Sequence, residues 1–138
     1  MNYCHQKKII HRDLKLNNIV FAAPNSKDIR VIDFGIHGLY VGNNPEKSLA
    51  GSLKYMAPEI LTGKRTAADP CFDIFSMGCI LFALVTGELP FEGDQETVRN
   101  NIIKGVYHYP PDCNISDECR DLIDRLLENN SHKRIFMA

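Results

Sequence analysis

The sequence predicts a mainly α fold with a small β-hairpin beside its loops, and three observations point there. Residues 73–86 are almost wholly apolar and are followed by Gly87, a helix stop signal. Two further stretches, 95–104 and 116–128, carry amphipathic helical periodicity. Ahead of them, two short apolar runs flank a turn-rich segment.

In chain order, Ile9 and Ile10 lead into a polar stretch from His11 to Asn18. Ile19-Val20-Phe21 reads as a strand, and Pro24, Asn25 and Ser26 mark a turn before a second strand, Arg30-Val31-Ile32. Residues 34–54 show no sustained period and read as a long surface loop, a length that usually signals function or disorder. The helix expected at 73–86 is apolar on all faces, so it should be buried on all faces. It is too short for a bilayer, which takes about 20 residues, and so reads as a core helix. The helix at 95–104 ends at Gly105. Ser116 is positioned to cap the last one, with Cys119, Leu122, Ile123, Leu126 and Leu127 on its inner face.

Composition narrows the function classes. The 138 residues amount to one domain, 44% of them hydrophobic and 24% charged, with a formal net charge of -1. Such a balance gives no electrostatic case for nucleic acid or for an anionic membrane. The five cysteines contain no CxxC pair, and their odd number argues against a disulfide framework. Free thiols, no apolar signal-peptide core at residues 1–8 and no spanning segment together suit the cell interior, and the cytoplasm first. The scattered histidines have no zinc-ligand spacing.

Chemistry concentrates in three motifs. His11-Arg12-Asp13-Leu14-Lys15-Leu16-Asn17-Asn18 comes first, Asp33-Phe34-Gly35 follows the second strand, and Gly51-Ser52 leads to Ala57-Pro58-Glu59. In type, order and spacing these resemble the protein-kinase signature set, and the resemblance covers nearly the whole chain. Two acids on loops would ordinarily be solvated turn residues, but all three motifs together outweigh that reading. The implied fold is the large, carboxy-terminal lobe of a eukaryotic serine/threonine kinase. The implied reaction is transfer of the ATP γ-phosphate to a protein serine or threonine hydroxyl.

The resemblance also implies roles. Asp13 would accept or orient the substrate hydroxyl proton, and Lys15 would approach the transferred phosphoryl. Asn18 and Asp33 would give oxygen ligands to Mg, with Val20 under the adenine of ATP. Gly35 would permit the turn after the metal ligand. Ser52 would bond Asp13 and Lys15, and Lys15 with Ser52 indicates serine/threonine specificity. Asn17 stands where some basophilic relatives carry an acid that reads arginine, which puts that contact in doubt. Arg12 would receive a phosphate placed on the activation loop by an upstream activating kinase. Ser48 is the candidate acceptor, with an exposed serine of no role as the open alternative. His11 and Phe34 would stack in the packing that joins two lobes, which makes His11 a packing residue rather than a base. Glu59 would pair with Arg134, and Asp73 would bond the backbone near His11 and Arg12. Phe75 replaces a usual tryptophan.

Residues 1–138 therefore read as a partial kinase domain with the amino-terminal lobe absent, since no GxGxxG or strand lysine can be placed. Residues 2–6 would be the last turns of the helix before the catalytic loop, and the helix at 73–86 would lose a packing partner and expose apolar surface. Two other readings stay open: a catalytically inactive lobe that binds partners, with the 95–104 helix as its docking surface, and a non-functional fragment. Within the kinases, Gly51 to Glu59 and Thr86 to Phe91 look like the calmodulin-dependent and AMP-activated-like group.

Overall fold

A computed structural model describes residues 1–34, 52–64 and 69–136. Gly35, Ser48 and Gly51 lie outside them. The elements run α1 (Asn2–Gln6), a 3-10 turn (Leu16–Asn18), β1 (Ile19–Phe21), β2 (Ile29–Val31), a second 3-10 turn (Leu53–Tyr55), α2 (Pro58–Leu61), α3 (Cys71–Thr86), α4 (Gln95–Lys104) and α5 (Asp117–Leu126). Among the described residues, the mainly α architecture with a two-stranded sheet agrees with the expected fold class.

β1 and β2 are antiparallel, with Ile19 opposite Val31 and Phe21 opposite Ile29. The second strand begins one residue earlier than expected because Ala22 N–H closes the turn onto the Asp28 carbonyl at 2.8 Å. Ile32 has left the strand, yet its N–H still donates to the Asn18 carbonyl at 2.9 Å. That bond locks the end of the hairpin to the residue that precedes β1.

α3 is the centre of the core. Phe72, Ile74, Phe75, Cys79 and Phe82 are almost wholly inaccessible. The expectation of burial on every face fails in the last turns, where Leu84 is 68% exposed and Val85 36%. Against α3 packs α5, and Gly78 sets their approach: a Cβ there would lie 2.9 Å from both Leu126 Cβ and Leu127 Cδ2. Only a residue without a side chain allows backbones so close. Ser116 Oγ caps α5 by accepting from Cys119 N–H at 3.2 Å. Its inner face is Ile123, Leu126 and Leu127, whereas Leu122 is 41% exposed. At about 100° per residue, Leu122 falls at the edge of the stripe centred on Leu126 and Leu127, so its expected inward placement is corrected.

α4 starts at Asp94, whose carboxylate accepts from Thr97 N–H at 2.8 Å. This bond holds the Asp94 carboxyl below its ordinary value. Val98 and Ile102, one turn apart, are buried as α4 packs on α2 and the 53–55 turn. The apolar face of α4 is thus spent on the core. Asn129 Nδ2 donates to the carbonyls of Ile102 and Ile103, closing the end of α4. Among the described residues, no helix is long and apolar enough to cross a membrane.

Candidate active site

The polar stretch after Ile10 is held in shape by α3. Asp73, in the first turn of that helix and wholly buried, accepts from His11 N–H (Oδ2, 2.9 Å) and Arg12 N–H (Oδ1, 2.9 Å). The His5 ring adds a third contact, Nε2 to Oδ2 at 2.7 Å. Two carboxylate oxygens thereby fix a bend in which Arg12 has φ 71°. A left-handed conformation at a residue with a side chain costs on the order of 1–3 kcal/mol and persists only where its surroundings enforce it.

The His11 ring is wholly buried. Its Nε2–H donates to the Ile32 carbonyl at 2.8 Å, which leaves Nδ1 to accept from Asp13 N–H at 3.2 Å. Both ring nitrogens are thereby engaged within the protein. Phe34 packs on it with ring centroids 4.6 Å apart.

Beyond that bend the polar side chains converge. Asp13 is 9% exposed. Its Oδ1 accepts from Ser52 Oγ at 2.7 Å and its Oδ2 from Lys15 Nζ at 2.8 Å. Lys15 Nζ also donates to Ser52 Oγ at 3.2 Å, closing a triangle of ammonium, carboxylate and hydroxyl. Buried Asn18 donates through Nδ2 to the Asp13 carbonyl at 2.7 Å. Leu14, 2% exposed, anchors the segment in the core between Asp13 and Lys15.

Asp33 makes no direct contact with this triangle among the described residues. It is exposed, with φ 61°, and follows Ile32, whose backbone bonds Asn18 and the His11 ring. The hairpin thus delivers Asp33 to the side of Asn18. Their oxygens are hard donors, one amide and one carboxylate, and magnesium is commonly held by one or two such ligands with phosphates and water completing the shell. The donor set fits that ion. Val20 is half-exposed on β1, and Arg12 projects into solvent.

Glu59 and Arg134 form a buried two-pronged pair, Nη1–Oε1 2.6 Å and Nη2–Oε2 2.9 Å. Arg134 also donates to the carbonyls of Cys71 and Glu128 and lies 5.0 Å over the Phe75 ring. Sequence reasoning missed His5 and this use of Phe75. A histidine in a polar helix end carries no local sign of a partner 68 residues away.

The whole chain, residues 1–138, matches the protein kinase domain family, and the chain belongs to that family. It is 38% identical over 138 residues to the probable serine/threonine-protein kinase MARK-A of Dictyostelium discoideum, covering 99% of this chain and 12% of that protein. It is 35% identical over 152 residues to the serine/threonine-protein kinase RAD53 of Saccharomyces cerevisiae, covering 100% and 18%. It is 37% identical over 139 residues to the serine/threonine-protein kinase SIK1 of Rattus norvegicus, covering 100% and 17%. The chain spans less than a fifth of the length of these relatives.

Proposed function

We propose that the protein carrying this chain is a serine/threonine protein kinase and that residues 1–138 supply the catalytic-loop part of its kinase domain. The observation that carries the reading is the closed triangle of Asp13, Lys15 and Ser52. Phosphoryl transfer asks a protein mainly for positioning and charge stabilisation. A carboxylate bonded at both oxygens is held in one orientation, so Asp13 would take the hydrogen bond of an incoming serine or threonine hydroxyl and aim its oxygen. Lys15 has three donors and spends two within the triangle, which leaves one for an oxygen of the transferred phosphoryl.

ATP and Mg are the cofactors this reading requires. Asn18 and Asp33 would hold Mg, which when bound neutralises charge on the phosphates. Asn18 has already turned its amide nitrogen toward Asp13, so its oxygen is the atom available to a cation. Val20 would support the adenine, and Gly35 would free the backbone after Asp33. Arg12, with its guanidinium in solvent, suits a phosphate placed on Ser48 by an upstream kinase. The substrate is a protein, the setting intracellular, and the placement near the calmodulin-dependent and AMP-activated-like group.

The test is phosphotransfer by the native full-length protein, purified from its own cells, to a mixed serine, threonine and tyrosine peptide pool with Mg and ATP. Phosphoserine and phosphothreonine are expected, with Asp13→Asn about 10²–10⁴-fold slower. Equal rates for the two proteins would overturn the assignment.

A further inference from the structure

The Ser52 hydroxyl is carried at the head of the 53–55 turn. The Ser52 carbonyl accepts from Tyr55 N–H at 3.0 Å, and the Leu53 carbonyl accepts from Met56 N–H at 3.0 Å. Leu53 and Tyr55 are buried, and the Tyr55 carbonyl also accepts from Ser76 Oγ of α3 at 2.8 Å. Lys54, between them, turns its side chain outward and pairs with Glu92. Glu92 stands on firm backbone. Its neighbour Phe91 is buried and stacks on Phe75 of α3, with ring centroids 6.0 Å apart and planes 11° from parallel.

We infer that Lys54 is a positioning residue: through its ion pair with Glu92 it fixes the turn that presents the Ser52 hydroxyl to Asp13 and Lys15. The inference rests on the kinase reading above and adds a residue to it. A 3-10 turn of three residues holds itself by few and poorly aligned hydrogen bonds, so its middle residue needs an outside tether. A rotation there tilts Ser52 while leaving buried Leu53 and Tyr55 in place. Ser52 Oγ bonds Asp13 Oδ1 at 2.7 Å and Lys15 Nζ at 3.2 Å, and such bonds weaken steeply once distance and angle drift. Misplacement of a positioned group is felt in the rate of the chemical step.

The solvation of the pair sets the size of the effect. The Lys54 side chain is 32% exposed and that of Glu92 53%, so the contribution is that of a surface ion pair, about two- to five-fold in rate, and salt screens it. The Asp13–Lys15 pair is more enclosed, at 9% and 22%, and is screened less. Salt therefore loosens the tether before it loosens the triangle.

The experiment measures kcat and KM of the native full-length protein and its variants on one serine peptide, at about 0.05 M and about 0.5 M NaCl. At low salt, Lys54→Met and Glu92→Gln should each lower kcat about two- to five-fold, with a smaller change in peptide KM. The charge swap, Lys54→Glu with Glu92→Lys, should be faster than either of its single substitutions, which set like charges together. The low-to-high-salt ratio of kcat, taken within one protein so that the amount of folded enzyme cancels, should be larger for the parent than for Lys54→Met. In a Ser52→Ala background, Lys54→Met should lower kcat no further, because the tether acts through that hydroxyl. An unchanged kcat, a loss confined to KM, or a full loss persisting in Ser52→Ala overturns the positioning role alone. A parent protein that phosphorylates no peptide overturns the kinase reading and this one with it.

Discussion

Ser52 Oγ donates to Asp13 Oδ1 at 2.7 Å across 39 residues of chain, and the same oxygen accepts from Lys15 Nζ at 3.2 Å. One hydroxyl therefore ties together the two groups that would orient the acceptor and meet the phosphoryl. Ser52→Ala leaves Asp13 Oδ1 without that donor and frees Lys15 to swing. A hydrogen bond to a charged group is worth about 1.5–3 kcal/mol, so kcat for peptide phosphorylation should fall about 10–100-fold. The peptide KM should change much less, since binding surfaces are untouched. Ser52→Thr keeps the hydroxyl and should stay within about three-fold of the parent, as steady-state kinetics of the full-length protein would show.

Asp73 supports that triangle from below. It satisfies two backbone donors and the His5 ring with two oxygens, wholly out of solvent. Asp73→Asn keeps the shape but turns one acceptor into a donor facing N–H groups. The cost should be about 2–4 kcal/mol, read as a lowered urea midpoint. Hydrogen exchange at the His11 and Arg12 amides should accelerate more than exchange in α5, because the left-handed bend at Arg12 loses what enforces it.

These two relationships also mark what local sequence can carry. The 95–104 helix was legible because Val98 and Ile102 share a face and Gly105 follows, and α5 because Ser116 stands where a cap is needed. Such signals act within a few residues. The kinase motifs were legible by type and order, and the meeting of Ser52 with Asp13 was expected only through the family resemblance those motifs carry, since no local pattern marks it. His5 went unread because no motif marks its distant partner Asp73. Leu122 misled because stripe edges depend on where the partner helix lies, here set by Gly78 against Leu126 and Leu127. The exposed end of α3 at Leu84 and Val85 shows that an apolar run specifies a helix without specifying what covers each of its faces.

The buried Glu59–Arg134 pair offers a stability test of different form. Removing either partner strands a charge with no access to water, so Glu59→Gln and Arg134→Met should each cost about 3–5 kcal/mol. Their combination should cost clearly less than the sum, since the stranded charge is then absent. A double-mutant cycle by urea unfolding checks this, and additive costs would show that the two side chains act independently. Part of the Arg134 loss should survive in the double mutant, because that guanidinium also holds the Cys71 and Glu128 carbonyls.

The thiols predict how stability responds to alkali. Burial, helped by the bond to Asp69, pushes the Cys71 thiol from its ordinary 9.0 up to about 11, and burial raises Cys79 further still. A folded-state value above the unfolded one means the native state keeps its proton after the unfolded chain has lost it. The stabilisation is therefore complete below about pH 9 and is lost as pH rises toward the folded values. Tyr107 and Tyr109 act in the same direction from their ordinary 10.0, raised first by burial and then by their shared acceptor Asp124, to which each hydroxyl donates at 2.7 Å. Urea midpoints should hold nearly level from pH 7 to 9 and decline increasingly steeply above it. Native-state alkylation at pH 8 gives the companion readout. Cys71 would then be ionised to only about one part in a thousand, so the partly exposed Cys4, Cys113 and Cys119 should label first and Cys71 and Cys79 only with unfolding. Early labelling of Cys79 in the folded protein would contradict the burial that centres this core on α3.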